Sequence, residues 1–305
     1  MNEIEDILNS FSQVSGSELN SAIANTDVLG AETFNERIEE ETPYPDSMSD
    51  PIEVAPVSPD NQPINDEVVR VTTARFSGAV WYEKIQEQVI CVGGQGGISS
   101  WFTFLAARMH PRSIYTYDPD RVERVNLAGQ LFCSDDVGMY KGEAISRTIT
   151  KYSEYRSMFS INERYTAVDG MQCKIMVCGF DNMTARREFY SRWKSLVFSL
   201  PEEERSQCLF IDGRLAAETL QVFCIVGTSL WDMENYEKNY MFSDEEAEEA
   251  VCSLKQTAYM ANIIGGIMNN LLVNFCANLC GGCRTIPFYT SYEADQMYLK
   301  LEGGI

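Results

Sequence analysis

The sequence predicts an α/β fold with a mostly parallel sheet and antiparallel strands at its C-terminal end. Three observations carry this. Short apolar runs that read as buried strands alternate with segments of helical spacing from Val89 to Val226. The first run, VICV, ends in a glycine cluster (Gly93, Gly94, Gly96, Gly97) that leads directly into a helical pattern. Two final runs, IPFYTSY and QMYLKLE, read as a hairpin-like pair of strands.

Taken in order, residues 1–66 read as a disordered acidic arm and 67–305 as one domain. The arm holds six of the ten prolines and few aromatics. Within it Ile4, Ile7, Leu8 and Phe11 form a short amphipathic pattern. Residues 67–88 connect the arm to the core, with AVWYEKIQEQ at helical spacing. The strand Val89–Val92 follows, then a helix with Trp101, Phe104, Leu105 and Met109 on one side, stopped by Pro111. SIYTYD is the second strand, with Asp118 at its end. After a polar loop, Ala144, Ile145, Ile149 and Tyr152 mark a helix with Lys141 in its first turn. A lysine there opposes the helix dipole, so a nearby anion would account for it. SINERYTAV reads as a strand and KIMVCG (174–179) as a buried one. FDNMTARREFYSRW opens a further helix, in which Asp181 and Asn182 form a common type of helix cap. Cys208–Ile211 and Leu220–Val226 are strands around a polar turn. Residues 231–250 read as a long acidic connection, and Leu254–Leu279 as an apolar helix interrupted by Gly265 and Gly266.

Composition excludes several classes of function. The net charge is −21, and residues 1–60 hold fourteen acidic residues against one basic one, Arg37. Such a chain repels phosphate backbones, so no nucleic-acid partner is expected. No apolar run reads as long enough to span a bilayer, so no membrane partner is expected. The N-terminus lacks the basic and apolar regions of a secretory signal, so the ten cysteines read as reduced thiols of a cytoplasmic protein. His110 is the one histidine, which excludes a His-rich metal site and leaves little room for Ser-His or Cys-His catalysis.

The stretch from Val89 to Gln130 carries the chemistry. A glycine turn between a buried strand and a helix lets backbone approach a phosphate, and the helix N-terminus adds N–H donors. An acid at the end of the second strand suits ribose hydroxyls. GQGGIS (94–99), DPDRVERVNLAGQ (118–130), GMYK (138–141) and GFDN (179–182) together resemble the Rossmann-like adenylation domain of the ThiF/MoeB and ubiquitin-activating-enzyme-like superfamily. The resemblance covers roughly residues 75–301.

That resemblance implies ATP and Mg²⁺ as cofactors. It implies adenylation of the C-terminal carboxylate of a ubiquitin-like or sulfur-carrier protein, or of a peptide, ending in glycine. It also implies a homodimer. By the same resemblance Gly94, Gln95, Gly96 and Gly97 line the nucleotide, Asp118 accepts from the ribose, and Asp120 and Gln130 belong to the site. Asn126 and Lys141 contact phosphate oxygens, Asp181 holds Mg²⁺, and Asn182 shapes its loop.

This chain departs from the family pattern at Gly129, where the family has an arginine on the triphosphate, and at Ser99, where it has a third glycine. Arg75 is the candidate for an arginine supplied by a second subunit, and Arg186 could also turn inward. Cys280 and Cys283 have the spacing of a zinc pair, with Cys276 near in sequence and Cys252 a possible fourth ligand, against a reading as free thiols. Cys252 is a thioester candidate, although Glu248 and Glu249 disfavour a thiolate there. The alternative to an enzyme is a catalytically inactive relative that keeps the fold and serves as a protein-binding partner or scaffold, a reading that Gly129 keeps alive.

Overall fold

The structure, a computed structural model, describes residues 66–242 and 256–304. The acidic arm up to residue 65 and Cys252 lie outside the described residues. The strands are β1 (Val89–Gly93), β2 (Ser113–Tyr117), β3 (Met158–Ile161), β4 (Ile175–Cys178), β5 (Leu209–Ala216), β6 (Thr219–Val226), β7 (Tyr289–Glu293) and β8 (Tyr298–Glu302). The helices are α1 (Asp66–Thr72), α2 (Tyr82–Gln86), α3 (Gly97–Ala107), α4 (Lys141–Ser153), α5 (Met183–Ser199), α6 (Glu202–Arg205), α7 (Leu230–Asn239) and α8 (Ala258–Leu279).

One sheet runs in the order β3-β2-β1-β4-β5-β6-β7-β8. Its first five strands pair in parallel, and β5 through β8 pair antiparallel. The predicted α/β class and its mixed sheet are therefore the observed ones. The central parallel strands β1 and β4 and the start of β5 (Leu209–Ile211) are apolar at nearly every position because both faces are covered. Ile90, Val92, Ile175, Val177, Leu209 and Ile211 face one layer with Phe102 of α3, Ile145 of α4 and Phe275 of α8. The alternate residues Cys91, Met176, Cys178 and Phe210 face the other layer with Phe189 and Trp193 of α5 and Tyr236 of α7.

Four expectations need correction. The third strand is Met158–Ile161, so SINERYTAV overlaps it only at its first two residues. The fully buried face of α3 carries Ile98, Ser99, Phe102, Thr103 and Ala106; Trp101, Phe104 and Leu105 form a half-buried flank that borders it. Tyr152 of α4 is exposed, and Ser153 takes the buried place beside Ile149. The start of the 231–250 segment is a helix, α7, capped by Ser229 and anchored by buried Met233 and Tyr236. In addition, α8 is long and apolar enough to cross a membrane by length and composition, contrary to the sequence reading. Most of it is buried here, and it packs against α3, β5 and β6 as a core helix. Gly265 permits the close approach to α3, since a methyl group there would fall 2.9 Å from Trp101 Cβ.

Candidate functional site

The chain order reverses direction in the sheet between β1 and β4. In open α/β sheets a crevice forms at such a point, outside the carboxyl ends of the strands. Gly93 is in register with Tyr117 on one side and Cys178 on the other. The loops that follow these strands, 94–97, 118–120 and 179–182, therefore open on one end of the sheet. The backbone ties them together: Gly94 N–H donates to Tyr117 O and Gly179 N–H donates to Gly93 O, both at 2.9 Å.

The first loop turns at Gly94, whose φ of +79° favours glycine and where a methyl group would approach Gly179 O at 3.1 Å. Gly96 faces open space, with nothing within 4 Å of an added methyl. It is the N-cap of α3 and supplies no side-chain cap, and the first turn has no acidic residue. The N–H groups of this turn are thus available to an anion. Gln95 is fully buried; its N–H donates to Asp118 Oδ2 at 2.6 Å and its Nε2 to Thr103 Oγ1 at 3.1 Å. It ties the loop to Asp118 rather than presenting a side chain at the mouth. Ser99, at the position of the family's third glycine, packs against Gly179: a methyl there would fall 2.0 Å from Ser99 Oγ.

Asp118 is 6% exposed, and its second oxygen accepts from Asp120 N–H at 2.8 Å. Burial pushes its carboxyl above the ordinary value, while Lys141 and the N–H groups of Asp120 and Gln95 oppose that rise. The anion expected beside Lys141 is Asp120: Lys141 Nζ lies 2.8 Å from Asp120 Oδ2. Lys141 is nearly buried and Asp120 is largely exposed, so the cation is held at the rim of the crevice by a partner that faces water.

Asn126 has a role that the sequence reading missed. Its Oδ1 accepts from Glu123 N–H at 2.8 Å and closes a short 3-10 turn over Arg124–Ala128. Only its NH₂ end remains for a ligand. Gln130 N–H donates to Asn126 O, and Gln130 Oε1 is buried without a hydrogen-bond partner among the described residues. Asp181 is exposed and accepts from Asn182 Nδ2 at 3.2 Å. Asn182 is the N-cap of α5, its Oδ1 accepting from Ala185 N–H at 2.8 Å.

Arg186 does turn inward, but toward the protein. It pairs with fully buried Asp212 and donates to Phe180 O and Gly213 O. Arg214 Nε and Tyr236 OH both reach the other Asp212 oxygen at 2.8 Å. This buried cluster, absent from the sequence reading, clamps the backbone just before Asp181. Arg75 is exposed and is not brought to the crevice.

The cysteines fall into two groups. Burial pushes the thiols of Cys178 and Cys276 up to about 12 and that of Cys208 up to about 11, which makes them inert. Cys280 and Cys283 are exposed, and among the described residues no group of three or more His, Cys, Asp or Glu is placed to hold a metal ion.

Curated relatives named ubiquitin-like modifier-activating enzyme 5 match in part. The protein from Drosophila willistoni is 32% identical over 88 residues, which is 29% of this chain and 22% of that protein. The one from Culex quinquefasciatus is 28% identical over 91 residues, 30% of this chain and 23% of its own length. These matches therefore span less than a quarter of the relatives' length. Among solved structures, PaaA superposes with a TM-score of 0.58 at 15% identity, covering 99% of this chain and 87% of PaaA. E. coli MccB determined with ATP superposes at 0.57 with 17% identity, covering 74% of this chain and 66% of MccB. These likenesses show the shared ThiF/MoeB-type fold. The ThiF family model matches residues 69–300, most of the chain and the whole of the sheet up to its last strand, and the chain belongs to the ThiF family.

Proposed function

We propose that this chain binds MgATP and adenylylates the C-terminal carboxylate of a ubiquitin-like or sulfur-carrier protein, or of a peptide. The observation that carries the reading is the convergence at one end of the sheet of three loops, carrying the glycine turn, Asp118 with Asp120, and Asp181, and of Lys141 at the start of α4, paired with Asp120. A carboxylate oxygen attacks the α-phosphorus, the bond to the bridging oxygen breaks, and pyrophosphate leaves. Such a reaction asks the protein for position and charge rather than covalent chemistry. The open N–H groups at the start of α3 receive phosphate oxygens, and Asp118 accepts from the ribose. Lys141 exchanges Asp120 for the polyphosphate and offsets the charge that builds on it. Asp181 fits Mg²⁺, a hard cation commonly held by one or two carboxylates together with substrate phosphates. MccB has been determined with ATP and in complex with N-formylated MccA, and the curated relatives are named as modifier-activating enzymes. Both support the reading. A homodimer in which Arg75 reaches the partner's crevice belongs to it.

The test is ATP–pyrophosphate exchange with a panel of carrier proteins and glycine-ending peptides. Exchange with at least one is expected. Lys141→Ala or Asp181→Ala should each lower it by about a hundredfold or more, the loss typical of one electrostatic group at a transition state. Melting temperature should stay close to that of the wild type for Asp181→Ala, an exposed residue, and fall modestly for Lys141→Ala, which leaves exposed Asp120 unpaired and removes the cation that favours ionised, buried Asp118. Full activity in either variant removes that residue from the mechanism. Absence of both exchange and nucleotide binding supports the inactive-partner reading, which Gly129 favours.

A further inference from the structure

Gln256 immediately precedes Thr257, the N-cap of α8, and its backbone bridges to Ala217 at the end of β5. From there its side chain crosses to the nucleotide loop. A methyl group on Gly97, the first residue of α3, would fall 2.0 Å from Gln256 Oε1. One on Gly129 would fall 3.1 Å from Gln256 Cγ and 3.3 Å from Nε2. Two glycines far apart in sequence thus face the same amide. Gly129 has φ −122° and ψ −16°, a conformation open to other residues, so glycine is not required there by the backbone. A methyl group there would instead press on the Gln256 side chain, which would have to give by a few tenths of an ångström. Gly97 directly follows Gly96, around which the space is open, so the amide lies at the edge of the crevice where phosphates would enter.

We propose that Gln256 is a polyphosphate-contacting residue of this site, its amide NH₂ donating to phosphate oxygens on the side where residue 129 contributes no side chain. The proposal rests on the adenylylation reading. It deepens that reading by giving the crevice a neutral donor from a distant part of the chain, where a cation would otherwise be expected. The absence of a side chain at Gly97 and Gly129 leaves the room that the amide occupies.

The contact predicts selectivity by phosphate number. MgATP and AMP binding to the full chain should be measured by calorimetry for the wild type, Gln256→Glu and Gln256→Ala, with near-ultraviolet circular dichroism as the control on folding. Gln256→Glu sets a carboxylate against the polyphosphate and should weaken ATP about tenfold or more, with AMP changed by no more than about twofold. Gln256→Ala should weaken ATP by roughly three- to tenfold, again sparing AMP. Gly129→Ala displaces the same side chain and should weaken ATP in the wild type, with little further effect in Gln256→Ala. Equal losses for ATP and AMP would mean that Gln256 only shapes the loop, and unchanged ATP affinity that it does not touch the ligand. Either result overturns the proposal while leaving the adenylylation reading intact. A wild type that binds neither nucleotide overturns both.

Discussion

Asp118 is held under opposing demands. Desolvation raises its carboxyl pKa, yet two backbone N–H groups and Lys141 favour the ionised form. Because the folded value lies above the ordinary one, its favourable contribution to stability is complete below the ordinary carboxyl range. That contribution is lost as pH rises through the raised value. Ligand binding should run the other way, since an ionised carboxylate is the stronger acceptor for ribose hydroxyls. Nucleotide affinity is therefore expected to fall as pH drops through the raised pKa of Asp118. Asp118→Asn should weaken ATP and AMP alike by about tenfold, the value of one charge-assisted hydrogen bond, and should flatten that acidic limb. Binding titrations across pH read both effects, and an Asn variant with wild-type affinity would remove Asp118 from the site. The ribose is common to both nucleotides and the polyphosphate is not, so loss of Asp118 and loss of Gln256 differ in their effect on AMP.

Between elements, the Asp212 cluster decides how firmly the Asp181 loop is held. Asp212 is fully buried and faces Arg186 from α5, Arg214 from its own strand and Tyr236 from α7. Asp212→Ala leaves two guanidinium groups in a low-dielectric interior without their counter-charge. It should cost about 3–5 kcal/mol, read by urea unfolding; a loss under about 1 kcal/mol would mean that water or neighbouring carbonyls satisfy the arginines. This cluster also marks the limit of what the sequence discloses. Strands such as Val89–Gly93 and Ile175–Cys178 were legible because burial on both faces leaves an unbroken apolar run. The loop motifs were legible because their spacing is local. The α3 face was misread because its buried positions include Ser99 and Thr103, small polar residues that close packing accepts. The helix over Leu230–Asn239 was hidden by its charge, although Ser229 accepting from Asp232 N–H is a capping signal. The contacts Arg186–Asp212 and Gln256–Gly97 join segments distant in sequence, and no periodicity reports such a pairing.

At the scale of the whole molecule, the sheet separates Arg75 from the crevice of its own chain. Thr72 Oγ1 lies 3.4 Å from His110 Nε2, in the turn that leads from α3 into the start of β2. Thr73 Oγ1 lies 2.6 Å from Tyr82 OH, on the helix that leads into the start of β1. Arg75 is thus tethered at the amino ends of the strands, whereas the glycine loop is at their carboxyl ends. The five residues of β1 alone span about 13 Å at some 3.3 Å per step. If Arg75 acts on ATP, it acts on a second copy, and an isologous dimer would place each Arg75 at the other crevice. The expected signature is complementation. Arg75→Ala and Lys141→Ala should each be inactive in exchange as homodimers. A heterodimer of the two, isolated with different tags, pairs one intact Lys141 with one intact Arg75 and should recover about half the wild-type rate, because one of two equivalent sites is whole. Arg75 is exposed, so its replacement should leave stability unchanged. A chain that sediments as a monomer under assay conditions, or a heterodimer no more active than its parents, would confine the chemistry to one copy and leave the rim of the crevice to Lys141 and Gln256.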